Sequence, residues 1–404
     1  MLQIGPIKVW TPVILSPMAG VTNAPFRKLC RLHGEKGLPE NLQRELKNAE
    51  KYVDAPAGLY VSEMVTTRAL IEENPQSLRL VKPDPEERVR SVQLYGVSPD
   101  IMYAAVKKLC LEDKADHIDL NFGCPVPKVT RRGGGSALPW KKDLFEEIIK
   151  KAVNASEECA KITGKDIPIT IKTRIGIDDE HITCFQSGDI AQKNGIAAMT
   201  LHARTAKQYY SGKARWEYIG RLKEELNIPV LGNGDIFTGN DAVKMMQETS
   251  CDGVVIGRGC QGRPWLFTDL VSAINNEQKN ILPTLAQVVE IILQHARLMI
   301  DEFEGEDKAM REMRKHIGWY LRGFAVGGTT RRDLQLVKTY DELKFRLHEL
   351  DLSQPYPCTM ASGPRGRLGT EKKPHLPDGW LDSPYFGSFD DGEILESEIE
   401  ISKC

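Results

Sequence analysis

The nine cysteines include no C-x-x-C pair, and an odd number of them is scattered singly along 404 residues. That excludes a disulfide framework and a zinc-finger spacing, and a reducing compartment is expected. No run of 18 apolar residues occurs, and the opening MLQIGPIKVWTPVIL lacks a basic stretch leading into a long apolar one. Neither a membrane span nor a signal peptide is therefore expected, and the chain reads as cytoplasmic. No metal site is expected, and no repeat of 20 to 50 residues is visible beyond a strand–helix alternation. Charge of one sign is scarce overall, since 54 basic residues nearly balance 56 acidic ones. The balance is uneven along the chain: residues 371–404 hold nine acidic and three basic residues, leaving about +4 on the rest.

What is present is a globular composition, 41% hydrophobic and 27% charged, long enough for a large core and a second domain. Short apolar runs stand at 13–17, 59–63, 91–95, 117–121, 167–172, 197–202, 229–232 and 253–257, with room for a helix between successive runs. Eight buried-type strands alternating with helices predict an α/β (β/α)8 TIM barrel over residues 1–280, with a doubly wound sheet as the fallback. Residues 35–57 form a polar insert in the first strand–helix connection. From 281 to 350 the periodicity is helical, as in LAQVVEIILQHARLMIDEF, and a small all-α domain is expected. Residues 351–404, rich in Pro and Gly and then acidic, are expected to be an irregular tail, dispensable for folding and chemistry, which either makes no contact with the body or competes with RNA for its basic face.

In a TIM barrel the active site lies at the C-terminal strand ends. Here those ends read SPMAG, SEM, QLYG, NFGCP, IKTR, HART, GNGD and GRG. The last two follow strands seven and eight, where glycine lets backbone N–H groups approach phosphate oxygens and Arg258 adds charge. Gln93, Lys172 and His202 stand at strand ends that converge over the mouth. A lysine inside an apolar strand needs an acceptor, either a bound electron-rich carbonyl or a neighbouring carboxylate. Cys124 sits on a loop made rigid by Gly123 and Pro125, and a thiol with an ordinary pKa of about 8.5 suits proton donation better than nucleophilic attack. Read alone, each of these residues also fits an inert structural role.

Taken together, PMAGVTNAPFR, VSEM, VQLYG, IDLNFGCPVPKV, IKTRIGID, LHARTAKQYYSGKARW, PVLGNGDI and DGVVIGRGCQGRPWLF resemble the motifs of the tRNA-dihydrouridine synthases, in the bacterial branch close to the B-type enzymes. The resemblance spans about residues 5–345, with Asn23 where the family commonly has Asp. It implies an FMN-bearing barrel and a helical tRNA-binding domain that reduce uridine in tRNA to 5,6-dihydrouridine with NADPH as reductant. It implies that Pro17, Met18 and Ala19 line the flavin, that Gln93, Lys172 and His202 hold its ring, and that Asn233, Gly234, Asp235, Gly257 and Arg258 take ribityl and phosphate. Cys124 is then the acid that protonates uracil C5 while hydride from the flavin reaches C6. Asn121 is expected to orient the uracil, and Arg204 to reach the RNA from the barrel mouth.

Residues 308–332 carry seven basic residues and one acid around Trp319, Tyr320 and Phe324. Arg311, Arg314 and Lys315 share one helix face and are candidates for tRNA phosphates, a solvated surface being the alternative. Trp319 at helical spacing reads as core. A monomer is expected. Two other functional classes fit parts of the pattern: an FMN-dependent dihydroorotate or dihydropyrimidine dehydrogenase, and a non-catalytic RNA-binding protein on the same fold.

Overall fold

The structure, a computed structural model, describes residues 1–277, 279–358, 363–366 and 369–387. Eight strands, β1 (Val13–Leu15), β2 (Leu59–Thr66), β3 (Ser91–Tyr95), β4 (His117–Phe122), β5 (Ile169–Arg174), β6 (Ala198–His202), β7 (Val230–Asn233) and β8 (Gly253–Ile256), pair in parallel and close into a barrel, β8 joining β1. The TIM barrel is as expected. Its strands are less uniformly apolar than expected. In β4, Ile118, Leu120 and Phe122 face the surrounding helices and enter the main core, while His117, Asp119 and Asn121 alternate inward. Strand β5 repeats the pattern, with Ile169 and Ile171 outward and Thr170 and Lys172 inward.

The inward polar residues satisfy one another in a ladder rising from the barrel floor. Ser91 Oγ meets His117 Nδ1 at 2.6 Å, and His117 Nε2 meets Thr170 Oγ1 at 2.9 Å. Thr170 donates to Asp119 at 2.7 Å, Gln93 donates to the other Asp119 oxygen at 2.7 Å, and Asn121 donates to Gln93 at 2.9 Å. Burial holds the His117 pKa down to about 4, so the ring is neutral at neutral pH. The same burial raises the Asp119 carboxyl.

The floor is sealed by an N-terminal hairpin, Leu2–Ile4 against Ile7–Val9. The insert of residues 35–57 ends there: after the helices Ala24–Gly37 and Glu40–Glu45, Asp54–Ala55 pairs beside Ile7–Val9 and Asp54 accepts the Trp10 indole N–H at 2.9 Å. At the other end of the chain, helices Leu285–Phe303, Glu306–Tyr320, Gly328–Leu334 and Tyr340–His348 surround a core of their own, including Ile292, Met299, Met313, Ile317 and Leu347. Gly305 and the positive φ of Glu304 turn the first of these into the second. The unit docks on the Ala24–Gly37 helix, where the ring of Phe26 lies 5.7 Å from those of His295 and His316. Arg79 ties it down with a 3.0 Å ion pair to Glu302. Asn23 accepts from the Phe26 N–H as N-cap, a task that Asp performs equally well.

The expectation of a free tail fails for the part described. Gln354 and Tyr356 belong to the helical unit, Gln354 O accepting from Leu285 N. Arg365 is buried and donates to Gly262 O, Trp319 O and Tyr356 Oη. Trp380, 8% exposed, lies against Ala137 and Ile177 and donates its indole N–H to Ala137 O at 3.1 Å. Low hydropathy and many prolines suggested disorder; a few large side chains placed at intervals are enough to seat such a segment on an existing surface. The acidic end, residues 388–404, lies outside the described residues. Among the described residues no helix is long and apolar enough to cross a membrane, and no cluster suited to a metal occurs.

Candidate active site

The strand ends open onto a cavity of about 730 Å3, within the range of small-molecule and cofactor pockets. Pro17, Met18, Ala19, Gln93, Asn121, Cys124, Lys172, His202, Asn233, Gly234, Asp235, Gly257 and Arg258 all line it. Residues 240 positions apart in sequence are thus brought together by barrel closure. Among the described residues Lys172 finds no carboxylate at hydrogen-bond distance; its Nζ donates to Asn233 Oδ1 at 3.0 Å. Burial, and secondly the nearby Arg174, bring its pKa down to about 7. An ammonium so placed calls for an electron-rich acceptor. Burial likewise holds His202 well below its ordinary range, and the cations Arg174 and Lys172 add to the effect.

Gly234 and Gly257 bring backbone to the cavity wall at the β7 and β8 ends. Gly234 has a φ of 128°, a conformation that strains any other residue, and a Cβ on Gly257 would lie 3.8 Å from Ser16, in ordinary contact. Arg258 lies over the ring of Tyr210 at 4.6 Å, with Asp235 at 3.6 Å.

Cys124 is fixed by its neighbours. Asn121 Oδ1 accepts from both Gly123 N and Cys124 N, at 3.1 and 3.0 Å. Its amide donates to Gln93 and Met64, so Asn121 is fully engaged within the protein. It braces Cys124 from a place in the cavity lining. Arg174 donates to Gly123 O at 2.9 Å and secures the same turn. The thiol is pushed up by burial, which keeps it protonated at neutral pH.

Arg204 does not stand at the mouth. It is 1% exposed, and its guanidinium donates to Ser211 O, Gly212 O and both oxygens of Asp235. The arginine of the HART element is a buried strut for the Asp235 turn. The Asp235 carboxylate, spent on Arg204, is left with no attraction for a phosphate; its backbone is what remains. Lys315 reaches back to the rim, close to the Gly20 turn, with Glu312 at 2.5 Å. Glu63, whose carboxyl is raised by burial, accepts from Gly20 N beside it. Arg311, exposed, pairs with Asp307 on its own helix, and Arg314 lies one turn on, half-buried. Trp319 packs into the core, as expected.

Sequence reasoning passed over Asp119, Arg174, Tyr209, Tyr210 and Lys372. Asp119 had a signal, an acid inside the apolar run HIDLNF, and Arg174 another, a second cation two residues after Lys172. Lys372 had none, because only folding brings residue 372 to the cavity.

A family model described as dihydrouridine synthase (Dus) matches residues 14–354. The chain belongs to the dihydrouridine synthase family. A probable tRNA-dihydrouridine synthase of Mycobacterium tuberculosis (strain ATCC 25618 / H37Rv) is 52% identical over 384 residues, covering 95% of this chain and 93% of that protein. The corresponding protein of Mycobacterium leprae is 51% identical over 378 residues, 92% of this chain and 96% of its own. The tRNA-dihydrouridine synthase B of Pasteurella multocida is 34% identical over 322 residues, 80% and 87% of the two chains. Family membership selects the flavin-dependent uridine reductase over the two other classes considered.

Proposed function

We propose that this enzyme reduces uridines of tRNA to 5,6-dihydrouridine with FMN as its flavin and NADPH as the reductant. The observation that carries this reading is the composition of one cavity: Gly234, Gly257 and Arg258 at the β7 and β8 ends, a buried lysine at β5 with no carboxylate partner among the described residues, and a braced, protonated thiol at β4. FMN fits such a lining. Gln93, Lys172 and His202 would hold its ring and Asn233, Gly234, Gly257 and Arg258 its ribityl chain and phosphate, with Pro17, Met18 and Ala19 as backing. When bound, the flavin supplies the hydride for the uracil 5,6 double bond.

The chain's own residues do the rest. Lys172 offers positive charge where a reduced ring or a carbonyl gathers electron density. Cys124 keeps its proton because burial raises the thiol, and gives it to C5 as general acid. Asn121 and Arg174 hold the Cys124 backbone, so the thiol acts from a fixed position. A base stacked in folded RNA cannot enter this cavity; it must turn out, and the helical unit carrying Arg311, Arg314 and Lys315 holds the RNA around it.

The test is reconstitution of flavin-free protein with FMN or FAD, followed by NADPH or NADH and an unmodified tRNA transcript. Dihydrouridine should form with FMN and NADPH in stoichiometric step with NADPH oxidation. A protein that binds no flavin, or that oxidises NADPH equally with free uracil, would overturn the reading.

A further inference from the structure

Lys372 stands at the rim of the active-site cavity, yet it belongs to a segment more than 100 residues beyond the last barrel strand. The segment is anchored on both sides of it. Arg365, buried under the helical unit, fixes one side, and Gly366 packs so closely on Gln261 that a Cβ would lie 2.1 Å from Oε1. Trp380 fixes the other: Gly133, with φ 75°, leaves room for its ring, and Ala137 O takes its N–H. Beyond it, Lys141 Nζ donates to Ser383 O at 2.7 Å and Asp143 accepts from Phe386 N at 2.8 Å. Trp380 therefore grips the stretch that follows Cys124. Between the anchors the strap crosses the β6 end, where Lys372 N donates to Lys207 O at 2.9 Å and its ammonium lies 4.9 Å from the centre of the Tyr209 ring.

Ordering an irregular segment costs conformational entropy at every residue, so the anchors offset that cost and hold whatever lies between them at a set place. Between them, flanked by Glu371 and Lys373, is the exposed Lys372 at the cavity rim, with no carboxylate partner among the described residues. The cavity already leans positive: Lys128, Lys172, Arg174, Arg258 and Lys372 line it, against Asp235, which Arg204 neutralises. Lys172, Arg174 and Arg258 lie inside, within reach of a cofactor. Lys372, like Lys128, is exposed. A uridine turned into the cavity leaves its flanking phosphates at the rim, at the level of this lysine.

We propose that residues 369–387 form an entrance strap and that Lys372 binds an RNA phosphate next to the uridine being reduced. The inference rests on the proposed function and adds a substrate-binding group from outside the barrel and the helical unit. The test compares wild-type holoenzyme with K372A, K372E and K372R, using an unmodified tRNA transcript at several salt concentrations. Filter binding and steady-state KM are measured together with FMN retention.

K372E should raise Kd and KM for tRNA about tenfold at low salt, K372A less, and K372R little, with a much smaller change in kcat. The slope of log K against log salt should fall by about 0.7–0.9 in K372A, the value of one lost phosphate contact. Unchanged tRNA binding and salt slope in K372E would make the lysine a solvated surface group and overturn the proposal. So would loss of FMN with tRNA affinity intact, which would assign Lys372 to the cofactor phosphate. If wild type binds tRNA with the expected salt slopes but forms no dihydrouridine, the proposed function falls while the phosphate contact stands.

Discussion

Replacing Lys172 by Met should stabilise the flavin-free protein while weakening flavin binding. The side chain keeps its length and loses its charge. Burial takes the ammonium down to about 7, against about 10.4 in an unfolded chain. A base whose pKa falls on folding costs stability at every pH below its unfolded value; the cost is complete below pH 7 and gone above pH 11 or so. It comes to about 4 kcal/mol at pH 7 and about 2 at pH 9. Asp119 eases it and Arg174 adds to it, but neither forms a hydrogen-bonded pair with Lys172.

Urea unfolding of flavin-free wild type and K172M at the two pH values measures the gain directly, and FMN titration measures the loss. The variant should be more stable at pH 7, by an amount that halves by pH 9, with FMN affinity down tenfold or more. Wild-type affinity should itself decline from pH 7 upward, since the acceptor draws a proton onto Lys172, and K172M should lose that dependence. A variant less stable than wild type at pH 7, a gain indifferent to pH, or undiminished FMN affinity would refute the reasoning.

Cys124→Ala should keep FMN and its reduction by NADPH, and lower dihydrouridine formation by roughly 10²-fold or more; single-turnover oxidation by tRNA at the wild-type rate would remove Cys124 from the proton path. Because burial raises that thiol above its ordinary value of about 8.5, tRNA reduction should stay level through neutral pH, and a break below pH 8 would contradict it. The triple change of Arg311, Arg314 and Lys315 to Ala should weaken tRNA binding and flatten its salt dependence by up to roughly one unit of slope per contact, leaving flavin content alone; equal binding at all salt concentrations would reassign this face to solvent. Trp380→Ala should cost roughly 3 kcal/mol and expose the strap to proteases, which an unchanged unfolding midpoint and cleavage pattern would disprove.

The barrel was legible because each strand is a short apolar run bounded by turn residues, and runs of that kind have few other uses. The cavity was legible through residues whose chemistry is costly inside a strand, such as Lys172. The partners were not. Arg204 and Asp235 looked like two ligand-facing groups because each ends a strand, and only the turn joining them shows that they face each other. The brace that Asn121 Oδ1 gives Gly123 N and Cys124 N was equally hidden, because nothing in the residue types of NFGC says which way that side chain turns. The segment around Trp380 defeated composition altogether, since its contacts are with residues 137 and 177 and leave no local periodicity to detect.

The order of synthesis gives the strap one more consequence. All eight barrel strands lie within residues 13–256, so barrel and flavin pocket can close while residues 369–387 are still in the ribosome, given that chains fold from the N-terminus as they emerge. The doorway is the last part to arrive. A nascent or C-terminally truncated chain would then have its barrel and helical unit in place behind an unframed entrance.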